Sequence, residues 1–339
     1  MPKTDWVAWS VGSGSKISAR LTNERTNEFP GVIEVFVDGA AGTTGLEIVQ
    51  RLEAHPEFVP VQLDEERRKD REARREALNA AEFAVLCLPD VAAKDAIALI
   101  DDDAKVRIVD ASSAHRTATG WTYGFPEIGF RDAIREARLV SNPGCYPTGF
   151  LAGLAPLVKA GMLPADWPYG VHAVSGYSGG GKTLVERFED DDCTVAWRGY
   201  ATSLEHKHLP EMRQHAGLAH APIFSPAVVP AFRGMVVEVP LPLDAMTGTS
   251  SVTEMRKLLA ETYRDSRVIR FLDSVPDEII VERDTASWDG LVLRLLSSDD
   301  DRRAKLVATL DNLGKGASGA AVQNLNLMAG IAEETGLKV

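Results

Sequence analysis

Residues 32–52 constrain the fold more than any other part of the chain. Apolar residues alternate up to Asp38, a glycine turn of spacing G-x-x-G-x-x-G follows, and Leu46 and Val49 then open an apolar helical face. A strand, a glycine turn and a helix in this order allow a nucleotide pyrophosphate to approach N–H groups at the helix N-terminus. A tight strand-to-helix turn without a ligand is the alternative at this point.

The same stretch supplies the first predicted cofactor contacts, which are Gly39, Gly42, Thr43, Thr44 and Gly45. A second strand at 58–63 leads into Asp64 and then into Arg67 and Arg68. A carboxylate here favours NAD, whereas an arginine accommodates the 2′-phosphate of NADP. We predict NADP, bound by the two arginines. The alternative is a solvated start to the charged helix at 70–78.

Strands at 83–88, 106–110 and 138–140 alternate with helical patterns, so we predict an α/β fold with a doubly wound Rossmann-type parallel sheet. Ligands then bind at the carboxyl ends of the strands, where we place Ser112 as a cofactor contact and Ser113 as a substrate contact. Later strands at 223–229, 235–239, 291–295 and 305–309 predict a second, α+β catalytic domain with a mostly antiparallel sheet.

The predicted domains have three parts. They are an extension over residues 1–31, expected to be flexible, an NADP-binding domain over 32–144 and 314–339, and a catalytic and dimerisation domain over 145–313.

Cys145 is the predicted catalytic nucleophile. Pro143 and Gly144 exclude regular structure just before it, and Thr148 can cap the apolar helix pattern that begins at Phe150. Unpaired N–H groups at a helix N-terminus lower a thiol pKa and make the thiolate available. A small buried cysteine in a turn is the competing interpretation.

His206 and His208 are the predicted acid–base residues. At i and i+2 on an extended segment they point the same way, a spacing that metal sites use, but no third ligand motif supports a metal. A histidine of near-neutral pKa can take the thiol proton and later protonate an oxyanion. The residues alone do not decide which of the two does so.

Four other residues are candidate ligand contacts. Arg116 offers a fork of donors to a phosphate or carboxylate, unless it only pairs with a surface acid, and Arg233 lies at a turn as a second anion contact. Ser175 and Gly176 begin a glycine loop that lies against cofactor or substrate, or is a plain flexible turn.

Composition excludes several classes of function. A net charge of -12 argues against nucleic acid and anionic membrane as partners. Three cysteines are too few for a disulfide framework, which suits a reducing cytosol. No apolar run reaches membrane-spanning length and no signal peptide opens the chain, so a cytoplasmic protein is expected.

Six motifs, in order along nearly the whole chain after residue 32, resemble the N-acetyl-gamma-glutamyl-phosphate reductase family. They lie at 39–45, 110–116, 141–149, 174–182, 206–211 and 312–326. The wording of 175–182 resembles the shorter bacterial type of that family. Aspartate-semialdehyde dehydrogenase shares the fold and the cysteine, but the closing stretch 314–324 is similar to the reductase instead.

The resemblance implies NADPH-dependent reductive dephosphorylation of N-acetyl-L-glutamyl 5-phosphate to the 5-semialdehyde, through a cysteine thioester, in L-arginine biosynthesis. It implies His208 as the first choice for the acid–base and Asn324 near the nicotinamide. Asn142 and Glu211 join the substrate contacts. The partners it implies are the acyl phosphate, inorganic phosphate and further copies of the chain in a homodimer or homotetramer.

Three alternatives remain at this point. The first is an enzyme like aspartate-semialdehyde dehydrogenase that acts on a related acyl phosphate. The second is a non-redox cysteine acyltransferase or hydrolase, which uses Cys145 and His208 and leaves the glycine turn idle. The third is a redox-sensing module that binds NADP and catalyses nothing.

Overall fold

The structure, a computed structural model, describes residues 31–339. The predicted extension over residues 1–31 lies outside this range except for Gly31. The described chain contains two β-sheets, and the helix Cys145–Lys159, called the cysteine helix below, lies between them in sequence. No helix within the described range is both long and apolar enough to cross a membrane.

The first sheet has six strands in the spatial order β2-β1-β3-β4-β6-β5, and all its pairs are parallel. Its strands are β1 Ile33–Asp38, β2 Phe58–Val61, β3 Phe83–Leu86, β4 Arg107–Asp110, β5 Thr122–Tyr123 and β6 Leu139–Ser141. The helices between them are α1 Thr43–Glu53, α2 Arg71–Ala80, α3 Asp90–Ile97 and α4 Arg131–Glu136. The predicted Rossmann-type sheet is therefore confirmed.

Helices cover both faces of this sheet because successive strand residues point to opposite sides. Val35 and Val37 pack with α1 and the last helix, α9 Gly319–Ala329, whereas Phe36 packs with α2 and α3. Alternate residues of β1 therefore contribute to two separate hydrophobic cores, one on each face of the sheet.

The second sheet has seven strands in the order β11-β12-β13-β10-β7-β9-β8, and antiparallel pairs predominate, as predicted. The strands are β7 Gly170–Gly176, β8 Arg198–Gly199, β9 Ile223–Val229, β10 Met235–Leu241, β11 Ile269–Phe271, β12 Leu291–Ser297 and β13 Ala304–Leu310. The remaining helices are α5 Cys145–Lys159, α6 Lys182–Glu189, α7 Leu209–Ala216 and α8 Val252–Thr262.

The cysteine helix begins earlier than the sequence suggested. Helix α5 starts at Cys145 with Gly144 as its N-cap, and Thr148 lies inside the helix, where its hydroxyl donates to the Gly144 carbonyl oxygen. Pro147 is tolerated because N–H groups in the first turn have no intrahelical partner to lose. Thr148 is therefore not the cap, and Cys145 is the first helical residue.

Candidate active site

A cavity of about 580 Å³ opens between the two sheets around Cys145. It brings together predicted residues from distant parts of the chain. They are Thr44, Arg116, Asn142, Cys145, Ser175, Gly176, His206 and His208. Thr44 belongs to the glycine turn of the first sheet, so one cavity connects the predicted nucleotide site with the predicted nucleophile.

Gly144 is required next to the nucleophile for a steric reason. A Cβ atom at this position would lie 2.5 Å from Arg116 Nη1 and 2.6 Å from His208 Nε2. Such distances do not occur in real structures, so only glycine lets the guanidinium and the imidazole approach the chain this closely. The close approach places both groups beside Cys145.

The Cys145 thiol has a raised pKa in the ligand-free protein. Burial raises the pKa, while the charge of Arg116, the Tyr146 N–H and the charge of Lys207 lower it. The sequence led us to expect a lowered pKa from the helix N-terminus alone. Burial outweighs these groups here, so the free enzyme holds a thiol that needs a base.

His208 is a neutral imidazole beside that thiol. Burial lowers its pKa well below the ordinary value, and Arg116, His206 and Lys207 lower it further. Burial and Lys207 also lower the pKa of His206, to about 4. His206 Nδ1 accepts a hydrogen bond from the His208 backbone N–H at 3.1 Å, so the ring proton of neutral His206 sits on Nε2. Because both pKa values are lowered, both imidazole rings are uncharged at neutral pH, which is the form that a base requires.

Glu211 and Arg116 form a buried ion pair next to the cysteine turn, the residues 141–144 that precede Cys145. Glu211 Oε1 accepts from the Gly144 N–H at 2.8 Å and from the Tyr123 hydroxyl at 2.7 Å, and Oε2 accepts from Arg116 Nη1 at 3.1 Å. Arg116 also donates to the carbonyl oxygens of Asn142 and Ala111. Three of its five N–H donors are thus used, and two remain for a ligand.

Two serines predicted as ligand contacts lie outside the lining of the cavity. The Ser112 hydroxyl donates to Asp110 at 2.7 Å, and the Ser113 hydroxyl donates to Asp90 at 2.7 Å. Both side chains satisfy carboxylates at strand or helix ends. The structure therefore shows both serines stabilising the turn after β4, and their contacts with cofactor and substrate stay predictions.

Arg233 and Asn324 are also not among the residues that line the cavity. Arg233 pairs with Asp311 at 2.9 Å and with Glu47 at 3.4 Å, so its charge is balanced within the protein. Asn324 is fully buried, and its Nδ2 donates to Asn142 Oδ1 and to the Gly124 carbonyl. It supports Asn142, which lines the cavity, and its own contact with the nicotinamide stays a prediction.

Several lining residues were not singled out from the sequence. Arg187, Arg198 and Lys207 line the cavity, and among the described residues none of them pairs with a carboxylate. Arg187 looks like the solvated face of an amphipathic helix, and Lys207 was passed over between the two histidines. A signal was available, since unpaired cations close to a candidate nucleophile favour an anionic substrate.

The glycine turn has the geometry that a dinucleotide needs. Gly39 has φ +91°, and a Cβ on Gly45 would overlap the Gly39 carbonyl. Helix α1 opens at Gly42 with no side-chain cap and no acidic residue in its first turn, so its N–H groups stay available to a pyrophosphate. The residues present thus fit the nucleotide cofactor.

Arg67 and Arg68 lie beyond β2 on the surface. Arg67 pairs with Glu76 at 3.4 Å and Arg68 with Glu65 at 3.0 Å, with nearly half of each arginine side chain exposed. Exposed pairs of this kind contribute about 0–1 kcal/mol, so a ribose phosphate can replace the carboxylates at little cost. Their role in binding NADP stays a prediction. Across residues 31–339, no cluster of His, Cys, Asp or Glu could hold a metal ion.

A parallel dinucleotide-binding sheet, a mixed sheet and a cysteine between them define a two-domain dehydrogenase of the semialdehyde dehydrogenase class. The family model "Semialdehyde dehydrogenase, NAD binding domain" matches residues 34–137, and "Semialdehyde dehydrogenase, dimerisation domain" matches residues 145–312. Solved structures agree. Aspartate semialdehyde dehydrogenase II from Vibrio cholerae has a TM-score of 0.64 at 16% identity, covering 88% of this chain and 98% of that one.

A second solved structure, the Candida albicans aspartate semialdehyde dehydrogenase with NADP, has a TM-score of 0.63 at 16% identity, covering 88% and 98% of the two chains. The sequence relatives are more specific. N-acetyl-gamma-glutamyl-phosphate reductase 2 of Nostoc sp. is 44% identical over 90% of this chain and 99% of its own. The Brucella ovis N-acetyl-gamma-glutamyl-phosphate reductase is 44% identical over 88% and 99%. The chain belongs to the N-acetyl-gamma-glutamyl-phosphate reductase family.

Proposed function

We propose that the chain catalyses the NADPH-dependent reductive dephosphorylation of N-acetyl-L-glutamyl 5-phosphate to N-acetyl-L-glutamate 5-semialdehyde, a step of L-arginine biosynthesis. One observation carries the proposal beyond family membership. Cys145 opens a helix in a cavity that is also lined by Thr44 of the glycine turn and by the cations Arg187, Arg198 and Lys207. A homodimer or homotetramer stays a prediction.

The charge of the cavity suits this substrate. Arg116, Arg187, Arg198 and Lys207 line it, and no Asp or Glu is among its described lining residues, although the whole chain carries a net charge of -12. An acyl phosphate that also bears a carboxylate brings several negative charges into the site. Cations concentrated in a cleft attract such a ligand and select against neutral aldehydes.

Cys145 and His208 perform the covalent chemistry. His208 Nε2 takes the thiol proton, and the thiolate attacks the acyl carbon, so that the C–O bond to phosphate breaks and a thioester forms. Bound NADPH supplies the hydride that reduces the acyl carbon. The C–S bond then breaks, the aldehyde is released, and the His208 imidazolium returns its proton to the Cys145 thiolate, which restores the resting thiol.

The anionic substrate also offsets the positive charge that keeps the His208 pKa low in the free enzyme. In its absence the cations beside His208 disfavour an imidazolium and help to keep the pKa low. Negative charge from the phosphate and carboxylate offsets these cations, so proton transfer from Cys145 to His208 becomes less costly once substrate is bound. Arg116, with two free donors, is the cation best placed to hold the leaving phosphate.

The reaction is tested most simply in reverse. Purified protein is given NADP and N-acetylglutamate semialdehyde, with and without inorganic phosphate, and NADPH formation is followed by absorbance. We expect phosphate-dependent reduction of NADP that the Cys145→Ser variant lacks. Aspartate semialdehyde serves as the competing substrate. A higher kcat/KM for aspartate semialdehyde, or no reaction with either aldehyde, would reject the proposal.

A further inference from the structure

Glu211 occupies a junction that the reaction itself does not explain. Its carboxylate is 1% exposed, and both oxygens are engaged by protein donors. The sequence resemblance implied a substrate contact, but no oxygen of this group lines the cavity. A buried carboxylate with three donors from separate elements must serve those donors.

We propose that Glu211 is a positioning residue that holds the Cys145 turn and the Arg116 guanidinium in register with each other. This rests on the proposed function for the reaction whose rate it affects. The hydrogen bond to the Gly144 N–H fixes the residue immediately before the nucleophile, where helix α5 begins. The ion pair with Arg116 fixes the cation that approaches the same glycine.

The helix that carries Glu211 adds the third component. Glu211 lies in the first turn of α7, and His208 is the N-cap residue of that helix. One carboxylate therefore joins the turn of the nucleophile, the anion-binding cation and the helix of the base. Misplacement of reacting groups by about 1 Å can cost about 10²-fold in rate, so the joint is expected to affect kcat.

Glu211 also balances charge at the thiol. The charged or titratable groups that face Cys145 are Arg116, Lys207, Glu211, His208, Tyr146 and Tyr200. Among them, Glu211 raises the thiol pKa and Arg116 lowers it. Removal of the carboxylate charge alone is therefore expected to make the thiolate easier to form, even while catalysis slows.

Two substitutions separate position from charge. Glu211→Gln removes the charge and keeps one acceptor oxygen for the Gly144 N–H and the Tyr123 hydroxyl, while its amide N–H₂ faces Arg116 Nη1. The midpoint of iodoacetamide alkylation of Cys145 should then move to lower pH. Glu211→Asp keeps the charge but is one methylene shorter, so it cannot reach both Gly144 and Arg116. We expect the Asp variant to lose about 10²-fold in kcat, with an alkylation midpoint that does not move to lower pH because the carboxylate charge is kept.

Tyr123→Phe provides a milder variant in case the buried pair is needed for folding. It removes only the hydroxyl that donates to Glu211 and leaves the ring stacked on His215. The loss of one hydrogen bond is expected to lower kcat about threefold to tenfold. Glu333→Gln is the matched control. Glu333 is a half-buried acid on the C-terminal segment, and it pairs with Arg131. Its kcat and alkylation midpoint should equal those of the wild type.

The outcomes decide between the two proposals. Wild-type kcat in the Asp variant, or equal movement of the alkylation midpoint in the Asp and Gln variants, would overturn the positioning role. A wild-type enzyme that does not reduce NADP with N-acetylglutamate semialdehyde would reject the proposed function instead. The alkylation comparison needs no substrate, so it still tests Glu211 in that case.

Discussion

At the scale of single residues, the reactivity of Cys145 depends on opposing contributions of burial and charge. Burial raises its pKa, and Arg116, the Tyr146 N–H and Lys207 act against that increase. The helix N-terminus alone does not produce a thiolate here. In the proposed mechanism a general base and an anionic substrate are both needed, which links nucleophile activation to substrate binding.

Cys145 should react with iodoacetamide before Cys87, because Cys145 lines the cavity and Cys87 does not. Burial, together with Asp110 and Asp38, raises the pKa of Cys87 far above its ordinary value, whereas Arg116 and Lys207 oppose the effect of burial at Cys145. Because burial raises the pKa of Cys145, its alkylation rate should still be increasing with pH where that of an ordinary cysteine has levelled off. Mass spectrometry of the labelled protein identifies the site. Labelling of Cys87 ahead of Cys145 would contradict the assignment.

His208→Asn should lower kcat by about 10²–10⁴-fold, the scale expected for loss of a general base, and leave the Kd for NADP unchanged. The reason is that His208 Nε2 approaches Gly144 next to the thiol. The control is His172→Asn, an exposed histidine that pairs with Glu238 on the second sheet. Steady-state kinetics and NADP titration provide the measurement. Similar kcat values for the two variants would mean that the base lies elsewhere.

At the scale of elements, the strand–turn–helix unit depends on which glycines are sterically required. A Cβ on Gly45 would overlap the Gly39 carbonyl and approach the backbone of Ala40 at 2.8 Å, whereas the nearest atom to a Cβ on Gly42 is 3.8 Å away. The motif therefore contains positions of unequal importance. The sequence spacing alone does not distinguish them.

Gly45→Ala should lower the free energy of unfolding by about 1–3 kcal/mol because the turn must open to admit the methyl group. It should also weaken NADP binding, since the N–H groups of α1 move with the turn. Gly42→Ala is the matched control and should change stability by less than about 0.5 kcal/mol, because a poorer N-cap is offset by a less flexible unfolded chain. Urea titration measures the stability of both variants. Equal midpoints for the two variants would show that the turn tolerates the overlap.

At the scale of the whole molecule, an ion pair ties the two sheets together. Arg51 on α1 donates to Asp289, just before β12, at 2.7 Å and to the Ser318 hydroxyl at 2.9 Å. The side chains of Arg51 and Asp289 are 7% and 0% exposed. The cavity lies between the units that this pair connects, so their alignment matters for the site as well as for stability.

Arg51→Met should destabilise the protein by about 3–5 kcal/mol, because it leaves the Asp289 carboxylate buried without its cation. Adding Asp289→Asn should restore part of the loss, since the amide oxygen can still accept the Lys338 N–H. Arg135→Met removes an exposed pair with Asp132 and should cost about 0–1 kcal/mol. Chemical unfolding compares the four proteins. Equal free energies of unfolding for Arg51→Met and Arg135→Met would show that the pair of Arg51 with Asp289 does not hold the two sheets together.

The sequence by itself determined the elements and the candidate nucleophile. Alternating apolar residues, glycine spacing and helical periodicity are local properties, so the strands near residues 33, 83 and 107 and the turn at Gly39 could be predicted without knowing their neighbours. The cysteine turn was recognisable for the same reason, although Pro147 concealed the first residue of its helix.

Only the tertiary structure decided what surrounds that nucleophile. The contact from Gly144 to Glu211 spans 67 residues, and no local pattern distinguishes a carboxylate that will be buried under a turn from one that binds substrate. Arg233 was expected to bind an anion and instead balances Asp311, whereas Arg187 and Arg198 line the cavity. The charge left free for a ligand depends on which acids the fold brings near each cation, and that is set by the packing of the two sheets.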